Sequence, residues 1–333
     1  MINYVLKPQS YHIRSSLLTF TYLYAFILSK NLEEGIVIKS TGSWYTVKKD
    51  DGTHVECKLK GRLRTEGIKS TNPVVVGDRV LLDAQMICDI QPRKNYIIRK
   101  SINLSKQSHI IAANVDIAFL VITFRLPETP IEFIDRFLVG AEAYRIPVCL
   151  VFNKIDLFTT DELEQLKQFE NIYRTIGYHI VETSVIGKMG IDQLKQMLVG
   201  KTSVIAGLSG VGKSSLIKAV DPGLNLKTGE MSEYHRSGKH TTTFAEMYPL
   251  QTGGYIIDTP GIRGFGLIHI EKEELYHFFP EIFKISSECS FHNCKHVNEP
   301  DCAVADAVAN GTISSFRYRS YLSMMEDTQN KYR

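Results

Sequence analysis

Residues 204–215 read Val204-Ile205-Ala206-Gly207-Leu208-Ser209-Gly210-Val211-Gly212-Lys213-Ser214-Ser215, and this stretch decides the fold. A short apolar strand runs into Gly-x-x-x-x-Gly-Lys-Ser, and a helical pattern follows from Ser215-Leu216-Ile217. Glycines in such a turn let successive backbone N–H groups face phosphate oxygens. Residues Gly207, Leu208, Ser209, Gly210, Val211, Gly212, Lys213, Ser214 and Ser215 therefore read as a phosphate-binding P-loop. In it Lys213 reaches the β- and γ-phosphates, Ser214 ligates Mg²⁺, and the helix N-terminus adds its positive dipole end. The position is unusual: such loops follow the first strand of their domain, and this one begins about two hundred residues into the chain.

Working upstream, the chain alternates apolar runs with helical patterns. Asp116–Ile122 and Ile146–Phe152 are continuously apolar, as strands covered on both faces are. Ile131–Tyr144 has helical periodicity, and Thr160–Ile176 reads as a helix opened by Thr160 with Asp161 and Glu162 near its N-terminus. Strand His179–Glu182, Thr183-Ser184-Val185 and helix Ile191–Leu198 then lead to the P-loop strand. This alternation predicts a parallel, doubly wound α/β sheet with ligands at the strand C-terminal ends. At one of those ends stands Asn153-Lys154-Ile155-Asp156. A carboxylate at Asp156 can accept together from guanine N1–H and the exocyclic amine, a donor pair that adenine lacks. Lys154 can lay its stem over the purine, and Asn153 can tie the loop to its surroundings. Cys149 reads as core.

Downstream, the P-loop helix ends at Asp221-Pro222-Gly223, and polar residues 225–240 read as the domain's mobile loop. It closes on Gly238-Lys239-His240-Thr241-Thr242-Thr243, where the Thr242 hydroxyl can complete a Mg²⁺ shell beside Thr241. Strand Gly254–Ile257 delivers Asp258-Thr259-Pro260-Gly261. Asp258 can hold Mg²⁺ through water, and the Gly261 N–H can sense the γ-phosphate. Ile262 stands where Ras-like enzymes carry the glutamine that orients the attacking water. An isoleucine cannot bond water, so slow intrinsic hydrolysis is expected, with His240 the candidate for positioning water.

Before all this, Gly35–Ile38, Gly42–Val47, His54–Leu59 and Val74–Leu82 are short β segments at the spacing of a small barrel, and the size fits an OB-fold. Lys58, Lys60, Arg62 and Arg64 alternate, so one strand face could meet a phosphate backbone; the alternative is an edge strand blunted by charge. Trp44 and Tyr45 could stack on bases, with core or rim packing expected for at least one of them. Residues 92–104 read as a linker.

Base recognition, P-loop, threonine switch and Asp-x-x-Gly switch are the parts of a Ras-like GTPase in rotated order, with the base-reading pair ahead of the P-loop. A circular permutation explains the late P-loop. With the barrel before it and a cysteine cluster after it, the chain from about Glu33 resembles the RsgA (YjeQ) family of small-ribosomal-subunit biogenesis GTPases. That resemblance implies an N-terminal OB-fold β-barrel, a central circularly permuted α/β P-loop GTPase domain and a C-terminal, mainly helical zinc-binding domain. The expected boundaries are 33–100, 101–272 and 273–333. It implies binding of GTP and GDP with Mg²⁺, hydrolysis stimulated by the small subunit, and contact with its rRNA. The competing expectation is a nucleotide-gated RNA-binding module in which hydrolysis is incidental. Lys239 departs from the family pattern, which has Arg there. The metal candidate is Cys289-x4-Cys294-x-His296-x5-Cys302, three thiolates and an imidazole that suit one structural Zn²⁺. His292 lies between the cysteines and could compete; the resemblance favours His296. Residues 275–285 and 303–309 read as helical, as does 315–332, whose Arg317, Tyr318, Arg319 and Tyr321 could touch RNA or form a solvated amphipathic face.

Composition is consistent with these assignments. The net charge of +3 is uneven: residues 1–32 hold three Lys/Arg and no acids, and residues 33–100 hold thirteen Lys/Arg against nine acids. A polyanion contact is therefore expected toward the N-terminal part. Six cysteines in 333 residues are too few for a disulfide scaffold, and three of them cluster with histidines, which favours a reducing compartment, the cytoplasm. The apolar run Ser15–Ser29 resembles a signal-peptide core but is short for a membrane span, and no small-x-small cleavage site follows it. It reads as an upstream extension, the alternative being a membrane anchor. A monomer with no membrane association is expected.

Overall fold

The computed structural model describes residues 32–61, 73–100, 108–224, 245–258 and 270–326. The 1–32 extension (save Leu32), Arg62, Arg64, the segment with His240, Thr241 and Thr242, and Gly261 with Ile262 lie outside the described residues.

Strands β1 (Glu33–Ser40), β2 (Tyr45–Lys49), β3 (His54–Leu59), β4 (Arg79–Asp83) and β5 (Met86–Ile90) pair in the order β1-β2-β3-β5-β4, and β4 closes back on β1. Only β3 and β5 run parallel. This is the five-stranded OB-type barrel, and its interior is filled by alternating residues such as Val37, Tyr45, Val47, Cys57, Leu59, Val80, Leu82 and Ile87. Tyr45 is core, whereas Trp44 is half-exposed with the Lys58 ammonium 4.3 Å from its ring centre. Lys58 and Lys60 both face solvent, as alternation requires.

The stretch expected to be a linker is partly sheet. β6 (Tyr96–Lys100) and β7 (Ser108–Ala113) form an antiparallel pair. Ala112 bridges to Val76, and the buried Asp78 carboxylate is forked by Arg93 at 2.6 and 2.7 Å. The strand character of this stretch depends on these partners rather than on its own short apolar runs.

Next, β8 (Ile117–Ile122), β9 (Val148–Asn153), β10 (His179–Thr183), β11 (Thr202–Ala206) and β13 (Tyr255–Asp258) form a parallel sheet in the order β10-β9-β8-β11-β13. β12 (Glu246–Pro249), too short to read from sequence, adds antiparallel to β13. Helices α1 (Ile131–Ala143), α2 (Thr160–Ile176), α3 (Ile191–Leu198) and α4 (Lys213–Val220) cover the sheet, leaving an apolar core on each face. The cap of α2 is Thr159, not Thr160: its hydroxyl accepts from the Glu162 N–H, and the Glu162 carboxylate accepts from the Thr159 N–H at 2.7 Å. β11 lies between β8 and β13, so its C-terminal end, carrying residues 207–213, is the switch point where ligands of such sheets bind.

The barrel joins this sheet through Lys39 of β1, which registers with Glu246 of β12 and bridges it at 3.2 Å. Beyond β13, a 3-10 helix (Lys272–Phe278), α5 (Pro280–Ser286), α6 (Ala303–Ala309) and α7 (Ser315–Glu326) enclose a third apolar cluster that includes Val139 of α1. Pro280 breaks the single helix expected over 275–285, because it fits a first helical turn but not an interior.

Candidate functional site

The P-loop conformation depends on glycine at two close approaches. Gly207 has φ +139°, and a Cβ there would lie 2.5 Å from the Val121 carbonyl oxygen. At Gly212, φ +98°, a Cβ would lie 2.4 Å from Asn153 Nδ2. That amide is why the site is one unit: Asn153, buried at the end of β9, donates to the Val211 carbonyl at 2.8 Å. Its own oxygen accepts from the buried Thr183 hydroxyl at 3.0 Å. Asn153 thus clamps the base-reading loop to the P-loop from one side and to β10 from the other.

The rest of the loop is equally tied. Lys154 sits in the left-handed region (φ +62°), and its ammonium donates to the carbonyls of Leu126 and Gly210. Asp156 is exposed, with its carboxylate accepting from the Ser184 hydroxyl at 2.5 Å. Ser184 in turn accepts from the Gly187 N–H at 2.8 Å and exchanges backbone bonds with Met189. This places a solvent-facing carboxylate, oriented by Ser184, two residues beyond the partly exposed Lys154. Such a pair matches the two N–H donors on the edge of guanine and the π-face above them.

Lys213 Nζ donates to the carbonyls of Gly207 and Leu208 at 3.0 and 2.7 Å, so it caps the loop it belongs to. Ser214 and Ser215 open α4 beside it. Asp258 ends β13, its backbone registered with Glu246. The structure therefore brings together Asn153, Lys154, Asp156, Ser184 and the 207–215 loop. Two contributors were not legible in the sequence. Thr183, read as following the strand, is its last residue, and the Leu126 carbonyl belongs to an irregular loop.

At the other end of the molecule, Cys289, Cys294, His296 and Cys302 place their ligand atoms within 4.8 Å of one another. Sulfur–sulfur distances are 3.7 Å (Cys294–Cys302) and 4.0 Å (Cys289–Cys302), and His296 Nδ1 lies 3.5 Å from both Cys289 and Cys302. A tetrahedral ion bound at about 2.3 Å to sulfur and about 2.0 Å to nitrogen requires about 3.8 and 3.5 Å for these pairs. The cysteines are free thiols, and His292 is exposed and outside the group. Burial pushes the Cys294 thiol up to about 12 and the His296 imidazole down. The donor set and spacing fit a structural metal ion.

Outside the four ligands, the loop is braced by Glu299, which the sequence did not single out, and by two tyrosines that it read as RNA-facing or solvated. Burial alone would raise Glu299, but backbone donors outweigh it and hold its carboxyl down at about 2. Those donors include the N–H groups of Lys295, Val297 and Asn298, at 2.8, 2.9 and 3.1 Å. From α7, the Tyr318 and Tyr321 hydroxyls donate to the carbonyls of His296 and Lys295 at 2.7 and 2.5 Å. The expectation that Arg317 and Tyr321 face solvent or RNA is overturned, because both are fully buried. Arg317 bonds Asp135 of α1 at 2.5 Å and Glu281 of α5 at 2.7 Å. Arg319 alone of the four is exposed.

Among the described residues, no helix is long and apolar enough to cross a membrane. Comparison with known proteins gives two family matches, the RsgA N-terminal domain over residues 34–86 and the RsgA GTPase over residues 90–268. The small ribosomal subunit biogenesis GTPase RsgA 2 of Bacteroides thetaiotaomicron is 55% identical over 306 residues, covering 90% of this chain and 99% of that protein. Its counterpart from Flavobacterium johnsoniae is 50% identical over 307 residues, covering 90% and 94%. Among solved structures, YjeQ from Thermotoga maritima superposes with a TM-score of 0.74 at 38% identity, over 90% of this chain and 99% of that one. YloQ, described as a circularly permuted GTPase, gives 0.71 at 31% identity, over 90% and 97%. The strand order, the clamp between residues 153 and 211, and these matches agree: the chain belongs to the RsgA family of circularly permuted GTPases.

Proposed function

We propose that this protein hydrolyses GTP on the maturing small ribosomal subunit and that nucleotide turnover governs its residence there. The observation that carries the reading is the Asn153–Val211 bond, which fuses a guanine-reading carboxylate loop to a P-loop. In this reading Asp156 and Ser184 select guanine, Lys154 covers the base, and the 207–215 loop wraps the phosphates with Lys213 on the β- and γ-groups. Ser214, Thr242 and Asp258, with Thr241 next in sequence, would hold Mg²⁺. When bound, Mg²⁺ offsets charge on the β- and γ-phosphate oxygens. The Gly261 N–H meets the γ-phosphate, and His240 positions water in place of the glutamine that Ile262 lacks.

The functional division is 33–100 for rRNA contact, 101–272 for the nucleotide and 273–333 for zinc, in a cytoplasmic monomer. Cys289, Cys294, His296 and Cys302 take up one Zn²⁺, which holds the loop of residues 289–302 closed over the module's own apolar cluster. Elemental analysis is expected to find one zinc per chain. Cys302→Ser retaining full zinc would remove Cys302 from the set.

The decisive experiment compares GTP with ATP hydrolysis in the presence and absence of purified small subunits. GTP-selective turnover that rises with subunits is expected; equal ATP turnover, or no stimulation, refutes the proposal. Ile262 favours a second reading, an RNA-binding assembly module with GTP as affinity switch and hydrolysis incidental. Under that reading Lys213→Ala would still support subunit maturation.

A further inference from the structure

The base-reading loop is flanked by phenylalanines that do not stop at the edge of the nucleotide-binding sheet. Phe152 immediately precedes Asn153, and Phe158 follows Asp156 by two residues. Both rings meet Phe124: Phe158 stacks on it with centroids 5.0 Å apart and planes 10° off parallel, and Phe152 meets it edge-on at 5.7 Å. Phe124 touches Phe169 of α2 at 5.6 Å, and Phe169 stacks at 5.1 Å on Phe316. Phe316 is the second residue of α7 and belongs to the C-terminal metal module. Its neighbour Arg317 anchors that helix to Asp135 of α1, and the Asp135 carboxylate also accepts from the Tyr173 hydroxyl of α2 at 2.8 Å. Two and five residues beyond Phe316 on the same helix, Tyr318 and Tyr321 hold the carbonyls of His296 and Lys295.

A contiguous aromatic row therefore links the metal module to both ends of residues 153–156. Aromatic pairs at these separations attract beyond their burial, and a planar ring transmits a displacement because it has few soft torsions. The loop needs such support. Asp156 is exposed, and its own side chain is held only by the Ser184 hydroxyl among the described residues.

We propose that Phe316 is a remote positioning residue for guanine recognition, acting through Phe169 and Phe124 on the loop that carries Asp156. The metal module is thereby a structural part of the guanine site. This rests on the reading of residues 153–156 as the guanine-selecting loop and adds the support that sets its selectivity.

The test measures affinities of the full chain for GDP, a slowly hydrolysed GTP analogue and inosine diphosphate, which lacks the exocyclic amine. Phe316→Ala is expected to weaken GDP and the GTP analogue by the same factor, about 3- to 30-fold. It should also shrink the preference for GDP over inosine diphosphate, because a loosened Asp156 no longer distinguishes them. The turnover number at saturating GTP stays unchanged, and Phe316→Tyr restores affinity. Phe169→Leu, inside the row, repeats the effect if Phe316→Ala loses zinc or fold, and Phe283→Ala, an exposed ring outside the row, leaves affinity unchanged. Unaltered GDP affinity in folded, zinc-replete Phe316→Ala, or an equal loss for GDP and inosine diphosphate, overturns the proposal. Failure of the wild-type chain to prefer GDP over ADP would instead overturn the underlying guanine reading and the proposal with it.

Discussion

Gly212→Ala tests the clamp at the centre of the site. The backbone at Gly212 has φ +98° and ψ +18°, where an L side chain costs about 1–3 kcal/mol. A methyl there would also sit 2.4 Å from Asn153 Nδ2, the atom that donates to Val211. Moving that amide away forfeits a buried hydrogen bond worth about 1 kcal/mol. The two effects total about 2–4 kcal/mol; the free loop relaxes to escape them and binding must restore the clamp, so the cost reads as about 30- to 700-fold weaker nucleotide binding. A fluorescent GDP analogue would read the dissociation constant. The discriminating measurement is a double-mutant cycle with Asn153→Ala, which removes the atom the methyl strikes. If steric conflict is the cause, the double variant loses less than the sum of the singles by about 1 kcal/mol or more. Additivity within about 0.5 kcal/mol, or a single variant that binds GDP normally, would refute the clamp as described.

Other consequences follow from the same structure. Arg317→Met leaves Asp135 and Glu281 facing each other without a cation, at an expected cost of about 3–5 kcal/mol, read as a lower urea midpoint for the C-terminal module; an unchanged midpoint would show that the ion pairs contribute nothing. Thr159→Ala removes the α2 capping box and should cost about 1 kcal/mol, with loss of protection in the first turn of α2 by hydrogen exchange. Glu299→Gln weakens acceptors for three N–H groups around His296 and should speed zinc transfer to a colorimetric chelator. The Glu299 carboxyl is depressed from about 4.5 to about 2, so its stabilisation is complete above about 4.5 and fades only as pH falls toward about 2. The melting-temperature gap between wild type and Glu299→Gln should therefore be equal at pH 7.5 and 5.5; a gap that closes at 5.5 would contradict the assignment.

Chemistry in this protein is written in short local strings, and that part is legible from residues alone. The strings 207–214, 153–156 and 258–261 are short and contiguous, so their order alone read as a permuted GTPase, which the family matches bear out. The alternating barrel strands and the uninterrupted apolar runs of β8 and β9 were readable for the same reason, since burial on one or both faces leaves its period in the chain. The cysteine spacing announced a three-cysteine, one-histidine group able to hold a metal ion. What only the tertiary structure decided involves partners far apart in sequence. Asn153 and Val211 are 58 residues apart, and Arg317 and Asp135 are 182 apart. No local pattern marks Arg317 as buried, because its charge reads as solvent-facing until two carboxylates from other helices surround it. His296, buried and at φ +58°, stands in the thiol cluster while His292 is exposed outside it, a placement that spacing alone does not specify. β6, β7 and β12 exist as strands because neighbours accept and donate their backbone bonds, and a short strand without a partner has no stability of its own.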